Sequence, residues 1–287
     1  MIENNFLKYY SKFLIEYKES GLISSIKKVI SFLTHLLKTK FYKSPILKRK
    51  IFLSKKLNDQ FNGIIRYGPF KNLKFIHTSW WGIINRAAML LGIYEQEIIE
   101  SFNEIPKKHD VFINLGAADG YYGIGALLTK NFNKSYCYEM SKLGQSSIDQ
   151  NAKLNKVSDK IIIRGLAEKN FYKDFSPEEI EKSVLFVDIE GGEFDLFDQN
   201  LFKVFKKSII YIELHDRNKD FNKNLDKMIS DSKDYFTIKE LTTTKRDMSK
   251  FKELENFSDD DRWLICSEGR SKLMKWWKFE PISHTNS

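Results

Sequence analysis

At 287 residues the chain can bury a full core as one large domain, or as a domain with an appendage. Its 42% hydrophobic and 14% aromatic content excludes disorder, and with only Cys137 and Cys266 it excludes a disulfide framework and a cysteine-rich zinc site. The net charge of +9 is concentrated: residues 1–56 hold thirteen Lys and Arg against three Glu, and the remainder holds 34 basic and 35 acidic residues. A nucleic-acid binder that is basic throughout would not show this division, so no nucleic-acid partner is expected.

Two helical patterns open the chain. Phe6, Leu7, Tyr10, Phe13, Leu14 and Tyr17 recur at helical spacing, and after Gly21 a second stripe runs through Leu22, Ile26, Val29, Ile30, Leu33 and Leu37. Lys27, Lys28, Lys38 and Lys40 lie off that stripe. Residues 1–40 therefore suit a helical hairpin docked on the main domain, peripheral contact with an anionic membrane surface, or self-association. Lys43 to Lys56 reads as a basic linker. Glu3 near the start and the lack of a clean apolar core argue against a signal peptide, and no apolar run approaches the roughly 20 residues of a membrane span. The expected setting is reducing and cytoplasmic, with peripheral membrane attachment through the N-terminal module.

Three segments are expected: a basic amphipathic helical module over 1–56, a β-hairpin and helix over 57–104, and the core over 105–287. In the second, Ile64–Tyr67 and Leu73–Ile76 are short β-like pieces separated by Gly68-Pro69 and Lys71-Asn72, and a helical stretch includes Leu90 to Ile98. In the third, strand-like runs at 111–115, 134–139, 160–164, 184–189, 208–214, 235–241 and 262–267 alternate with helical segments at 121–130, 142–156, 192–206 and 218–231. This alternation predicts an α/β fold, a Rossmann-like seven-stranded sheet that is mostly parallel. The last run follows an acidic stretch, Ser258 to Asp261, with no long helix before it, so an antiparallel edge pairing is expected there.

In such sheets ligands bind beyond the carboxyl ends of the strands. Strand one ends in Asn114-Leu-Gly116-Ala117-Ala-Asp-Gly120-Tyr-Tyr-Gly123, whose glycines permit a tight turn and a close approach to a ligand. Strand two ends in Glu139, about twenty residues on, where a carboxylate can accept both hydroxyl protons of a ribose. Strand three leads to Ala167, a candidate wall for an adenine ring. Strand four releases Asp188-Ile-Glu190-Gly-Gly-Glu193, and strand five ends Glu213-Leu-His215. Asp188, Glu190, Glu213 and His215 can converge, which suits either a general base for a hydroxyl or a hard-cation site. No residue is assigned to a metal. The glycine spacing differs from Gly-x-Gly-x-x-Gly, and no Gly-x-x-x-x-Gly-Lys-Ser/Thr loop occurs, which argues against nicotinamide and phosphate-loop chemistry.

The glycine turn, the acidic end of strand two and Val187-Asp-Ile-Glu-Gly-Gly-Glu193 together resemble class I S-adenosylmethionine-dependent methyltransferases of the FkbM type. Tyr67–Leu73, Leu91–Glu95, Ser267–Arg270 and the Trp277–Pro281 tail look similar too, so the resemblance covers roughly 60–281. It implies a seven-stranded sheet with an antiparallel last strand and methyl transfer to oxygen, on a sugar, a glycan precursor or another small metabolite. It also implies that Gly116, Ala117 and Gly120 line the cofactor, that Glu139 binds its ribose, and that Asp188 sits beside the transferring methyl. His215 or Asp188 is the expected base, with Glu190 beside them. The family's usual strand-one acid is Asn114 here, which keeps hydrogen bonding without charge and is the one support for a non-catalytic binding or scaffold relative.

Overall fold

The computed structural model describes residues 45–77, 81–216, 220–270 and 272–282. The patterns over 6–37, and with them the membrane and self-association readings, lie outside the described residues. The chain divides into units of residues 1–49 and 50–287, and the account below concerns the second.

Seven strands form one sheet: β1 (Val111–Leu115), β2 (Lys134–Tyr138), β3 (Ile161–Arg164), β4 (Ser183–Val187), β5 (Ile209–Leu214), β6 (Phe236–Thr242) and β7 (Lys275–Pro281). Their order is β3-β2-β1-β4-β5-β7-β6. The first five run parallel, and β7 lies antiparallel between β5 and β6. Strand order reverses between β1 and β4, where Leu115 pairs with Tyr138 on one side and Val187 on the other. Every residue of β1, β4 and β5 is buried, as strands covered on both faces must be.

Side chains alternate across the sheet into two cores. Phe112, Phe186 and Tyr211 face one side with Phe102, Tyr121 and Tyr122. Ile113, Leu115, Val187 and Ile212 face the other, under Leu201, Phe202 and Met228. Helix α4 (Tyr121–Leu128) covers the first face, and α8 (Gln199–Val204) and α9 (Phe221–Ser232) cover the second. A third core lies off the sheet, where α1 (Pro45–Phe61), α2 (Arg86–Leu90) and α10 (Asp259–Cys266) bring together Leu53, Leu57, Ala88, Leu90 and Ile265.

Four expectations are corrected. Residues 262–267 are not a strand: Asp259–Cys266 is a helix, because the Ser258 hydroxyl caps Asp261 N (3.3 Å) and three acids occupy the first turn. The antiparallel strand is instead Lys275–Pro281. The run 192–206 breaks into α7 (Glu193–Leu196) and α8, since Asp198 turns extended to accept from Leu201 N at 2.9 Å. The presumed linker 43–56 is helical from Pro45, with Lys50, Leu53 and Leu57 on its buried side. The stretch Leu90–Ile98 is interrupted by a turn at Gly92 (φ 68°) before α3 (Gln96–Ser101). Two expectations stand in reduced form, Ile64 and Lys74 meeting only as an isolated antiparallel bridge and β3 closing the sheet after four residues. Among the described residues no helix is long and apolar enough to cross a membrane.

Phe102, just after α3, is fully buried, with ring centroids 5.7 Å from Phe112, 6.0 Å from Phe186 and 5.6 Å from Tyr211. Phe102→Ala leaves a cavity against three strands and should cost about 3–5 kcal/mol in denaturant unfolding. A loss under about 1 kcal/mol would show that this aromatic cluster does not hold the first core together.

Candidate active site

The glycine turn is tied to both neighbouring strands. Gly116 N and Ala117 N each donate to Tyr138 O at 2.9 Å, and Asp188 N donates to Leu115 O at 3.0 Å. Gly116 has φ +80°, and a Cβ there would stand 1.8 Å from the Asp188 carbonyl oxygen. Only glycine allows β1 and β4 to close in this way. Below the turn, Asp119 forms a buried ion pair with Arg86 (3.3 Å), whose guanidinium lies 3.7 Å over the Phe75 ring. Asn151 Nδ2 donates to Asp119 O at 2.8 Å. Across the turn, Glu139 at the end of β2 is buried and accepts from Ala118 N (2.9 Å) and Ser141 N (2.7 Å), leaving each carboxylate oxygen a further lone pair. Ala118 and Glu190 have φ of 51° and 58°, left-handed conformations that few non-glycine residues adopt.

Beyond β4 and β5 the expected acidic group does converge. His215 Nε2 lies 3.7 Å from Asp188 Oδ1, 3.7 Å from Glu190 Oε2 and 3.6 Å from Glu213 Oε2. Glu193 is fully buried beneath them: its Oε1 accepts the His215 backbone N–H (2.8 Å), and its Oε2 accepts from Gly191 N (2.9 Å). It is the brace that holds the ends of β4 and β5 together, which its place in the first turn of α7 did not disclose. Burial raises the pKa of Asp188, and burial followed by the Asp188 charge pushes Glu213 far above the carboxylate range. Burial alone would lower His215, but contact with Glu193 and the charges of Asp188 and Glu190 outweigh it and hold the imidazole above its usual value.

Cations reach this cluster from outside the sheet. Arg270 donates Nη1 to Glu213 (2.7 Å) and Nε to Glu268 (2.7 Å), and also pairs with Glu95. Arg246 bridges Glu268 (2.8 Å) and Glu97. Tyr122 donates its hydroxyl to Glu95, whose pKa burial and then Asp188 raise well above the ordinary range. Lys50 pins the same segment through Ser267 O at 2.6 Å, and burial lowers its amine to about 8. The segments Leu91–Glu95 and Ser267–Arg270 were visible in the sequence as family-like stretches, but nothing in their local pattern showed that they meet. A small cleft opens beside them, lined by Glu95, Thr242, Arg270 and Trp276 among others.

The other expected site residues divide. Ala117 is buried in the turn, and Gly120 (φ 87°) precedes α4 as its N-cap. Asn114 is fully buried with both amide atoms unpartnered among the described residues. Ala167 packs against the second core. Met140 and Leu166, each two residues beyond the paired Tyr138 and Arg164, are 74% and 65% exposed.

The sequence profile described as the Methyltransferase FkbM domain matches residues 94–257, more than half of the chain. The chain belongs to the FkbM methyltransferase family. It is a methyltransferase that uses S-adenosylmethionine. No curated protein matches it in sequence. Among solved structures it is similar to a Streptococcus pneumoniae protein designated a candidate tRNA (m1A22) methyltransferase (14% identity, 64% of this chain and 69% of that one, TM-score 0.43). It is also similar to M. jannaschii TYW2 solved with AdoMet (12% identity, 66% and 78%, TM-score 0.40). A third is a candidate O-methyltransferase from Klebsiella pneumoniae (9% identity, 86% and 94%, TM-score 0.42). The family match leaves the acceptor open, so the expected exclusion of nucleic acid finds no support in it.

In this FkbM-family chain Gly116→Ala sets a methyl against a backbone carbonyl at positive φ. It should cost roughly 3 kcal/mol, the left-handed penalty plus overpacking, and lower Tm by several degrees. An unchanged Tm would mean that β1 and β4 are not locked through this contact.

Proposed function

We propose that the chain transfers the methyl group to a hydroxyl oxygen of a sugar, a glycan precursor or another small metabolite. The observation that carries this reading is the Asp188–Glu190–His215 cluster, set at the switch in strand order and joined to the glycine turn through the Gly116–Asp188 contact.

Three features suit the cofactor. The Glu139 carboxylate is fixed by two backbone N–H groups with acceptor capacity to spare for a ribose diol. Gly144 leaves its flank open, since a Cβ there would stand 2.6 Å from Glu139 Cγ. Met140 and Leu166 offer exposed apolar side chains at the rim, which suit an adenine ring better than Ala167 with its place against the core. In this reading Gly116, Ala117 and Gly120 hold the methionine and ribose portions by backbone contact, Glu139 takes the ribose hydroxyls, and Asp188 closes the methyl end. Asn114, buried at the end of β1 with both amide atoms unpartnered among the described residues, has hydrogen-bonding capacity to offer the cofactor.

Bound S-adenosylmethionine supplies a methyl group already activated on a sulfonium, so the residues here position the acceptor and remove its proton. Asp188, Glu190 and His215 surround the acceptor oxygen, which loses its proton to this cluster as it takes the methyl. The carboxylates around His215 favour the charged form of the group that receives it. In this reading the place of the acceptor is shaped by the two stretches 63–95 and 241–262, which bring Glu95 and Thr242 together at a small cleft.

Calorimetric titration with S-adenosylhomocysteine should give one site per chain, and Glu139→Ala should weaken it at least tenfold, roughly the value of one charge-assisted hydrogen bond. Absence of binding by folded protein at millimolar ligand would defeat the cofactor assignment. With radiolabelled methyl donor, hydroxylated small acceptors should be labelled and His215→Ala should reduce transfer by roughly a hundredfold. Label appearing only in tRNA would overturn the choice of acceptor.

A further inference from the structure

Arg86 and Asp119 form a buried ion pair, their side chains 1% and 2% exposed, and it is a loose one. Nη2 meets Oδ2 at 3.3 Å, where a charge-assisted contact closes to about 2.7–2.9 Å. Arg86 Nε and Nη1 and Asp119 Oδ1 have no hydrogen-bond partner among the described residues. Burial pushes the Asp119 pKa up in spite of the Arg86 charge, and pushes Arg86 down in spite of Asp119. A buried pair so incompletely met stabilises a fold no better than apolar side chains of similar volume. Stability does not account for it, and its contacts offer another reason.

Both ends of the pair are fixed. Arg86 opens α2, whose next residues Ala87, Ala88 and Leu90 are packed in the third core. Its guanidinium lies 3.7 Å over the Phe75 ring, and Phe75 stacks on Tyr121, the first residue of α4 (ring centroids 6.1 Å apart, interplanar angle 22°). Asp119 is held by its backbone as well. Asn151 Nδ2 donates to Asp119 O at 2.8 Å, and Asn151 Oδ1 accepts the Ile76 N–H at 2.8 Å. On either side of Asp119 stand the two most demanding backbone conformations of the turn. Ala118 is left-handed at φ 51°, and its N–H donates to Glu139 Oε2 at 2.9 Å. Gly120, at φ 87°, returns its N–H to Ala117 O at 2.8 Å. A shift of the Asp119 backbone would carry Ala118 with it and turn that N–H away from Glu139.

We propose that Arg86 is a positioning residue for the cofactor: through Asp119 it fixes the Ala118 N–H, and through that N–H the Glu139 carboxylate. That role rests on the reading in which Glu139 takes the ribose hydroxyls. Arg86 lies outside the matched family segment, 94–257, so in this chain the off-sheet core sets the geometry of the cofactor turn. The loss expected on removing Arg86 is one of cofactor affinity in the folded chain. Global destabilisation does not produce such a loss, because a ligand that binds only the native state keeps its intrinsic dissociation constant while nearly all the protein is folded.

The test is calorimetric titration of the full chain with S-adenosylhomocysteine, with Tm measured on the same samples. Arg86→Met leaves Asp119 buried without its cation, so Tm should fall and affinity should drop roughly tenfold or more. Adding Asp119→Asn removes the stranded charge. The double variant should recover most of the lost Tm and none of the lost affinity. Phe102→Leu, which loosens the packing on Phe112, Phe186 and Tyr211, should lower Tm and hold the wild-type dissociation constant within about twofold. A folded double variant with wild-type affinity overturns the proposal, as does affinity that follows Tm across all three variants. If Arg86→Met does not fold, the double variant decides alone, since it strands no charge. Folded wild-type protein that binds no S-adenosylhomocysteine defeats the cofactor reading itself, whereas wild-type binding with unchanged variants defeats only the role of Arg86.

Discussion

Everything in this site depends on how closely β1 and β4 approach at their carboxyl ends. The Asp188 carbonyl occupies the space that a side chain on residue 116 would need, and the Asp188 amide is bonded to Leu115 O. The glycine turn and the acidic cluster are therefore one rigid piece. A displacement of β4 would move both the acidic cluster and the glycine turn. Such coupling suits a reaction in which two reactants must be aligned with little freedom, because alignment itself supplies much of the rate.

The second constraint is charge. Asp188, Glu190, Glu193, Glu213, Glu95 and Glu268 are gathered in a small, largely buried volume. Buried carboxylates survive only when paired or protonated. Arg270 and Arg246 supply part of the compensation, each bridging two or more acids. Arg270 is held by geometry from elsewhere: Lys50 on α1 fixes the segment at Ser267, and the third core packs α1 against α2 and α10. The off-sheet core thus has a purpose beyond stability, since it fixes the segment that carries Arg270.

The matched family segment, 94–257, contains the turn, Glu139, the strand-four acids and His215. Arg86, Glu268 and Arg270 lie outside it, yet Arg86 anchors the turn and Arg270 anchors the cluster.

How much of this was legible follows the range of the interactions. Strand-end residues, the glycine turn and the convergence of Asp188, Glu213 and His215 could be read directly, because strand periodicity and parallel topology place strand ends together. The last strand was misplaced because Ser258 and the acids after it signal a helix cap as well as a loop, and only packing of Ile265 and Cys266 into the third core chose between them. The partners Glu95–Arg270 and Arg86–Asp119 were not legible, since nothing local in either sequence marks a contact between residues so far apart. By itself the sequence determined the layered fold and which carboxylates stand at the ends of β4 and β5, which depend on local hydrogen bonding and period. Tertiary structure alone decided which cations balance those carboxylates and how far His215 stands from each, because charges are paired by the folded surface rather than by order along the chain.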